Sequence, residues 1–160
     1  MRFTTSDLCD AYPNKVQIAD PVFHDYGARV SFRGPIQTLR VFEDNALVRQ
    51  VIDTVGEGKV LVVDGGGSLR CALVGGRLAS LAEANGWSGL IINGCVRDSA
   101  ELRELAIGIR ALGAVPRRSG KEGRGERGIS VSFAGVNFAP GGFVYADADG
   151  LVVSGDDLLV

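Results

Sequence analysis

The sequence is poor in the residues that build common metal and redox sites. Its 160 residues include one histidine, His24, and three widely separated cysteines, Cys9, Cys71 and Cys95. Without a C-x-x-C pair or a second histidine, a zinc knuckle, a disulfide framework and a His-rich metal centre are excluded. No nucleophile-elbow motif surrounds a serine, so a Ser-His-Asp hydrolase is not expected and His24 is interpreted as structural. This cysteine pattern predicts a reducing, cytoplasmic setting.

Long apolar runs and an excess of positive charge are also missing. No run approaches the length of a membrane span, and the polar, acidic segment that follows Met1 predicts no signal peptide. The formal net charge is −2, whereas a domain that binds nucleic acid is normally basic. The glycine-rich segment 116–128 is locally basic, and we interpret it as a solvated loop or a subunit edge. The sequence therefore predicts neither a membrane partner nor direct contact with nucleic acid.

Glycine, in contrast, is plentiful, and many of the 23 glycines cluster at the ends of predicted strands. The G-x-G-x-x-G match at 123–128 follows a loop and precedes a strand, so it lacks the context of a dinucleotide site. Hydrophobic periodicity predicts helices over 4–12, 44–55, 78–85 and 98–105. It predicts strands over 28–32, 36–42, 59–64, 89–94, 107–112, 129–133, 136–138, 143–147 and 151–153, with a turn at Gly34-Pro35. This order predicts a mixed α/β fold in a single domain, residues 1–160.

Chemistry-bearing residues follow two of the predicted buried strands. If strands 59–64 and 89–94 are parallel neighbours, the turns after them line one crevice. Arg97 is suited to gripping a carboxylate, and Asp98 offers a hard oxygen ligand for Mg²⁺. The Gly75-Gly76 turn opens a helix whose N–H groups face an anion. These features predict a metal-assisted site for a small 2-oxo acid.

Each of these residues also has an ordinary structural interpretation. Arg97 and Asp98 are equally consistent with a surface pair that caps a helix, which is the commoner case. Asp64 either orders a metal-bound water or caps its turn. Glu101, one helical turn after Asp98, either supports the metal and Arg97 or is an exposed helix charge. Residue type and spacing alone leave these alternatives open.

Several segments of the sequence resemble the RraA family, and together they cover nearly the whole chain. They are Thr5–Pro13, Phe42–Asn45, Val62–Arg70, Gly75–Ala79, Gly94–Asp98 and Tyr145–Asp147. The resemblance implies a layered α/β/β sandwich that assembles as a homotrimer. It also implies one of two roles. Some members are class II 4-hydroxy-4-methyl-2-oxoglutarate / 4-carboxy-4-hydroxy-2-oxoadipate aldolases that also decarboxylate oxaloacetate, and others bind and inhibit ribonuclease E.

The aldolase members share a hallmark: a glycine, twenty residues, Arg-Asp, two residues, then an acidic residue. This chain matches it with Gly76, Arg97, Asp98 and Glu101. The resemblance implies that Asp98 holds Mg²⁺ or Mn²⁺ and that Arg97 binds the substrate carboxylate, with Glu101 as a further catalytic residue. It implies substrate contacts from Gly75, Gly76, Arg77 and Leu78. Longer members carry an acidic residue in place of Gly76 and a C-terminal extension, so we expect a weakly held metal and slow turnover.

Overall fold

The computed structural model describes residues 2–160, which form four short helices and twelve strands. The helices are α1 (Thr5–Ala11), α2 (Ala46–Ile52), α3 (Gly76–Ala84) and α4 (Ser99–Leu102). The strands are β1 (Val16–Ile18), β2 (His24–Asp25), β3 (Phe32–Arg40), β4 (Val60–Asp64), β5 (Ala72–Val74), β6 (Gly89–Val96), β7 (Gly108–Ala114), β8 (Glu126–Arg127), β9 (Val131–Phe133), β10 (Val136–Phe138), β11 (Phe143–Asp147) and β12 (Gly150–Ser154). No helix among the described residues is long and apolar enough to cross a membrane.

The main sheet has the order β1-β12-β11-β3-β4-β6-β7-β2, with β5 beside β6 and β8 beside β3. Strands β3, β4, β6 and β7 run parallel to one another. Strands β1, β12 and β11 continue the sheet in antiparallel fashion, and β9 and β10 form a separate hairpin. Parallel strands in the middle, connected through helices, place their carboxyl ends along one edge.

Strand β3 belongs to both halves of this sheet and changes partner at Pro35. Phe32 to Pro35 pair with β11, whereas Ile36 to Arg40 pair with β4. The turn expected at Gly34-Pro35 was therefore wrong, because Pro35 lies inside a strand where the ladder changes sides and no N–H is needed. Glycine is required at 34 because a Cβ there would overlap the Gly58 carbonyl.

The predicted strand over 28–32 was also wrong, since only Phe32 of that segment is in a strand. Its backbone N–H groups are satisfied differently. Ala28 donates to the Leu105 carbonyl at 2.9 Å, and Arg29 donates to the Ile107 carbonyl at 3.4 Å. Residues 28–31 come after strand β2 and form no strand pairing of their own.

Two apolar cores separate the layers. Helices α2 and α3 cover one face of the parallel strands, where Val48, Ile52, Ala79, Leu90 and Ile92 are buried. The opposite face packs against β9 to β12 through Val62, Ile91, Phe138, Val144 and Val153. The layers are therefore helix, parallel sheet and antiparallel strands, and the predicted layered α/β/β fold is confirmed.

Strand β5 was not predicted, although it positions the candidate site. Strand β4 ends at Asp64, and the turn Gly65–Gly67 carries the chain away from the sheet. Residues Ala72 to Val74 then take the vacated place beside the last residues of β6. Three residues are too few to show a period, so the pattern could not reveal this strand.

Candidate active site

The parallel sheet brings the two predicted turns to one edge. Strands β4 and β6 are parallel neighbours, with Asp64 opposite Asn93, so the expected adjacency is confirmed. Because β5 lies beside the end of β6, the Gly75-Gly76 turn reaches the residues that follow β6. The Arg97 N–H donates to the Val74 carbonyl at 3.0 Å, which fixes this approach. Residues more than twenty positions apart in sequence thereby face each other.

Asp98 joins the two segments directly. Its backbone lies in the left-handed region, with φ 60° and ψ 44°, which aspartate tolerates better than most residues. This conformation turns the carboxylate toward α3, and Oδ2 accepts a hydrogen bond from the Gly76 N–H at 2.9 Å. The other oxygen, Oδ1, has no hydrogen-bond partner among residues 2–160, and the side chain is exposed. Asp98 therefore offers one unused carboxylate oxygen to a ligand.

Glu101 places a second carboxylate at Gly76. A Cβ on Gly76 would overlap the Glu101 carboxylate, and a Cβ on Gly75 would lie 2.8 Å from Asp98 Oδ2. The absence of side chains at both glycines thus allows two carboxylates to approach the start of α3. Two carboxylates at one turn favour the binding of a cation.

The Arg97 side chain lies on the other flank of the same turn. Its Cγ and Nε would be 3.2 Å and 3.3 Å from a Cβ on Gly75. Its Nη1 donates a long hydrogen bond of 3.4 Å to the Pro116 carbonyl. Among the described residues no carboxylate lies within 4 Å of its guanidinium group, so the charge remains available for an anionic ligand.

The other two expected substrate contacts differ from each other. Arg77 is exposed, whereas the Leu78 side chain is 8% exposed and packs in the core under α3. Leu78 therefore presents only its backbone to the site. In the first turn of a helix the N–H groups have no partner within the helix, so those of Arg77 and Leu78 supply donors beside Asp98.

The donor set fits a hard divalent cation held through few protein ligands. Among residues 2–160 no group of three or more His, Cys, Asp or Glu side chains comes together as a metal cage. Asp98 and Glu101 supply only carboxylate oxygens. Mg²⁺ keeps several waters and takes one or two carboxylates together with substrate oxygens, so these residues fit Mg²⁺ or Mn²⁺ and not zinc.

The remaining sequence candidates lie outside this cluster. Asp64 Oδ1 accepts hydrogen bonds from the Gly66 N–H at 2.9 Å and from Asn93 Nδ2 at 3.0 Å, so it caps its turn. His24 is exposed on the edge strand β2 and contacts none of the site residues described above. Lys59 stands before β4, at the opposite end of the sheet, over the Trp87 ring.

A second polar cluster was not predicted from the sequence. Glu43 Oε2 accepts hydrogen bonds from Ser68 Oγ and Arg70 Nε, each at 2.6 Å. The Arg70 and Ser68 hydrogen bonds hold the pKa of Glu43 below its usual value. The resemblance had drawn attention to Phe42–Asn45 and Val62–Arg70 without giving either segment a role, and no local pattern shows that they meet.

Comparison with known proteins decides the family. A family model described as "RraA-like: Aldolase/RraA" matches residues 5–153. The chain belongs to the RraA-like family. A relative from Aromatoleum aromaticum, named "Putative 4-hydroxy-4-methyl-2-oxoglutarate aldolase", is 54% identical over 159 residues, covering 99% of this chain and 100% of the relative.

Two solved structures share the fold and half of the sequence. One, from Geobacillus kaustophilus, is named an S-adenosylmethionine: 2-dimethylmenaquinone methyltransferase. It is 51% identical to this chain, with a TM-score of 0.96 over 98% of both chains. The other is the RNA-processing inhibitor RraA from Thermus thermophilis, 50% identical with a TM-score of 0.94 over 98% of this chain and 94% of that one. Three proteins that are each about half identical to this chain thus carry three different functional names.

Proposed function

We propose that this RraA-like protein is a divalent-metal-dependent aldolase. Its reaction would be the retro-aldol cleavage of 4-hydroxy-4-methyl-2-oxoglutarate or 4-carboxy-4-hydroxy-2-oxoadipate to pyruvate and a second 2-oxo acid, with oxaloacetate decarboxylation as a side activity. The observation that carries the proposal is the meeting of Asp98 and Glu101 at Gly76, beside an Arg97 that has no carboxylate partner. The name of the Aromatoleum relative supports the same activity.

Binding of the substrate follows from the charges around the turn. Arg97 would take the carboxylate next to the 2-oxo group in a two-point grip, and the N–H groups at the start of α3 would orient it. Asp98 and Glu101 would hold Mg²⁺ or Mn²⁺. The bound cation would supply a Lewis acid that polarises the 2-oxo group.

Proton transfer is assigned to Glu101. Its carboxylate is exposed and reaches the start of α3. A water hydrogen-bonded to it would take the proton from the 4-hydroxyl group as the carbon–carbon bond breaks. The same side chain would then deliver that proton to the CH₂ carbon left by the cleavage, which becomes the methyl group of pyruvate. Asp64, whose Oδ1 already accepts two hydrogen bonds, is less suited to this step.

The positions of the lysines favour metal-dependent over Schiff-base chemistry. Lys15 pairs with Asp156 at 3.5 Å, and Lys59 lies at the far end of the sheet. Lys121 is exposed in the segment that follows β7. An imine-forming lysine must reach the substrate carbonyl. None of these three contacts the Gly76 cluster, which consists of Gly75, Gly76, Arg97, Asp98 and Glu101.

The methyltransferase name of the Geobacillus structure does not match the glycine turns of this chain. A nucleotide-type cofactor normally sits where a glycine-rich turn joins a strand to a helix. Here the turn Gly65–Gly67 leads into strand β5, and the turn that joins β5 to α3 has only Gly75 and Gly76, without the G-x-G-x-x-G spacing. This protein is therefore not proposed to be a methyltransferase.

A second function is favoured by the likeness to the Thermus RNA-processing inhibitor. We propose that the chain can also bind ribonuclease E as a protein regulator, without touching RNA. The partner would use a surface separate from Arg97 and Asp98. A pull-down of ribonuclease E by the Asp98→Asn variant tests this, because binding should persist after nuclease treatment. Loss of binding in that variant would place the partner on the Gly76 cluster instead.

We further propose that the protein works as a cytoplasmic homotrimer. The buried thiols of Cys71 and Cys95 suit a reducing compartment. A trimer would let a neighbour complete the shallow two-carboxylate site. Light scattering at micromolar concentration should give three times the chain mass of 16.8 kDa, and a monomer would contradict the proposal.

Pyruvate release, coupled to lactate dehydrogenase, is the test of the aldolase. Turnover of the hydroxy-methyl-oxoglutarate and of oxaloacetate should depend on Mg²⁺ or Mn²⁺ and stop with EDTA. Borohydride should trap no adduct with pyruvate. Activity that survives EDTA, or a trapped adduct, would exclude the class II reaction. Loss of both activities with intact ribonuclease E binding would leave the regulator as the function.

A further inference from the structure

A cavity lies beside β5, and none of its lining residues belongs to the Gly76 cluster. Its volume is about 540 Å³, within the range of small-molecule pockets. Three segments form its walls: the chain between β3 and α2, the turn that leads into β5, and the chain that follows β7. The lining residues are Glu43, Arg70, Cys71, Arg117, Arg118, Ser119 and Gly120. None of these residues has a part in the proposed aldolase chemistry.

The wall that carries the arginines is fixed to the rest of the fold. The Ala72 N–H donates to the Arg117 carbonyl at 2.8 Å, so this segment extends the sheet beside β5. Gly120 exchanges backbone hydrogen bonds with Glu43 and Asn45, at 2.9 Å and 3.0 Å. Asp44, which is 4% exposed, accepts backbone hydrogen bonds from residues 122–124. The arginines are thus presented from an ordered backbone although they lie in a glycine-rich loop.

The charges in this cavity do not cancel. Glu43 is paired with Arg70 through a 2.6 Å hydrogen bond. Arg117 and Arg118 are exposed, and no carboxylate among residues 2–160 lies within 4 Å of either guanidinium group. A net charge of about +2 in one cavity matches a phosphate monoester, which carries about −1.5 to −2 at neutral pH.

Glu43 adds a second requirement on the ligand. Its Oε2 accepts from Ser68 and Arg70, which leaves Oε1 as a free acceptor on a residue that lines the cavity. A hydroxyl group can donate to this oxygen, whereas a second carboxylate on the ligand would be repelled by it. The cavity is also several times larger than one phosphate group, so the remaining volume accommodates a carbon skeleton.

We infer that this cavity binds a small phosphate monoester that carries a hydroxyl group, with Arg117 and Arg118 on the phosphate and Glu43 on the hydroxyl. The inference is independent of the proposed aldolase function, since it uses none of that site's residues. Glycerol 3-phosphate is a suitable probe, because it has both groups and is small enough to enter.

Calorimetric titration at constant ionic strength tests the assignment. Glycerol 3-phosphate should bind saturably and at least about fivefold more tightly than inorganic phosphate or malonate. This ratio corresponds to a difference of about 1 kcal/mol in binding free energy. The double variant Arg117→Gln/Arg118→Gln should lose at least about tenfold in affinity, the effect of one strong charge-assisted contact. Glu43→Gln should abolish the preference over inorganic phosphate.

Two matched variants serve as controls. Arg124→Gln removes an arginine of the same loop that lies outside the cavity lining and pairs with Glu122, and its affinity should be unchanged. Arg97→Gln removes the guanidinium group of the Gly76 cluster, and this variant should also bind normally. Loss of binding in Arg97→Gln would place the ligand at the Gly76 cluster and overturn the inference. Equal binding of malonate, or no saturable heat, would overturn it as well.

Discussion

Asp44 and Asp98 both accept hydrogen bonds from backbone N–H groups, yet they differ in almost every other respect. Asp44 is buried and accepts from four N–H groups, those of Ala46, Glu122, Gly123 and Arg124. Asp98 is exposed and accepts from one, that of Gly76. A carboxylate whose acceptor capacity is used by the fold holds structure, whereas one with a spare oxygen can bind a ligand.

The protonation behaviour of Asp44 agrees with a structural role. Burial alone would raise the pKa of this carboxyl, but the backbone N–H donors outweigh it and hold the pKa below its ordinary value. The charged form is therefore the one that the fold stabilises. The comparison predicts that substitutions at 98 change chemistry without changing stability, and that substitutions at 44 do the reverse.

Asp98→Asn should have the largest effect on turnover. Asparagine keeps the left-handed backbone and can still accept from the Gly76 N–H, but it removes the anionic ligand. Activity should fall by at least about 100-fold, because altering even outer partners of a metal site costs about 10–100-fold. Pyruvate release measures this loss, and the unfolding midpoint in urea should remain that of the wild type. Near-normal turnover would remove Asp98 from the site.

Arg97→Lys should come next. Lysine keeps the positive charge but not the planar two-point grip on a carboxylate. The loss in kcat/KM should correspond to about 2–3 kcal/mol, the range of charge-assisted hydrogen bonds. Arg77→Lys is the matched control, since the expected contact at 77 comes from the backbone. Equal losses in both variants would show that the planar guanidinium grip is not specific to Arg97.

Asp44→Asn should destabilise the fold by roughly 2 kcal/mol at neutral pH, because a buried charged acceptor is lost. A folded pKa below the unfolded value means that this stabilisation is complete above the unfolded pKa, about 3.9, and is lost as the pH falls through the folded value. The gap in unfolding free energy between wild type and variant should therefore shrink below about pH 4. Denaturant titrations from pH 7 to pH 3 measure it. A gap that does not change with pH would contradict the assignment.

Gly76→Ala should have the smallest effect and should sharpen the comparison. The added methyl group displaces the flexible end of Glu101 rather than backbone, so stability should change by less than about 1 kcal/mol, the helix-propensity difference between glycine and alanine. Turnover should fall by about tenfold because Glu101 moves from its position. This loss corresponds to about 1.4 kcal/mol of activation free energy. Glu101→Gln, which removes the carboxylate itself, should lose more, and the double variant should lose little more than Glu101→Gln alone. Additive losses would separate Gly76 from Glu101.

Some of this arrangement was evident in the sequence and some was not. The strands 59–64 and 89–94 carry continuous apolar runs between glycine turns, so their parallel pairing and the edge where the site lies were predictable. The contact between Glu101 and Gly76 was not, because the side-chain position depends on the left-handed turn at Asp98. A helix was expected to include Asp98, and it begins at Ser99 instead.

The loop 116–128 makes contacts that the sequence could not reveal. Its composition indicates only a polar, solvated loop. In the structure, hydrogen bonds to Asp44 and the short strand β8 fix it against β3. The partners are separated by about eighty positions, so no local pattern reports the contact. Long-range satisfaction of backbone N–H groups by a buried side chain is invisible to periodicity.

The partner change in β3 bears on how the chain folds. Residues 36–40 pair with β4 after a short excursion through α2, so this half of the strand closes a small loop. Residues 32–35 pair with β11, which lies more than a hundred positions later in the sequence. Loop-closure entropy makes the second pairing the slower one. During synthesis the parallel half can therefore assemble first, and Pro35, which has no N–H to donate, marks the boundary between early and late strand pairing.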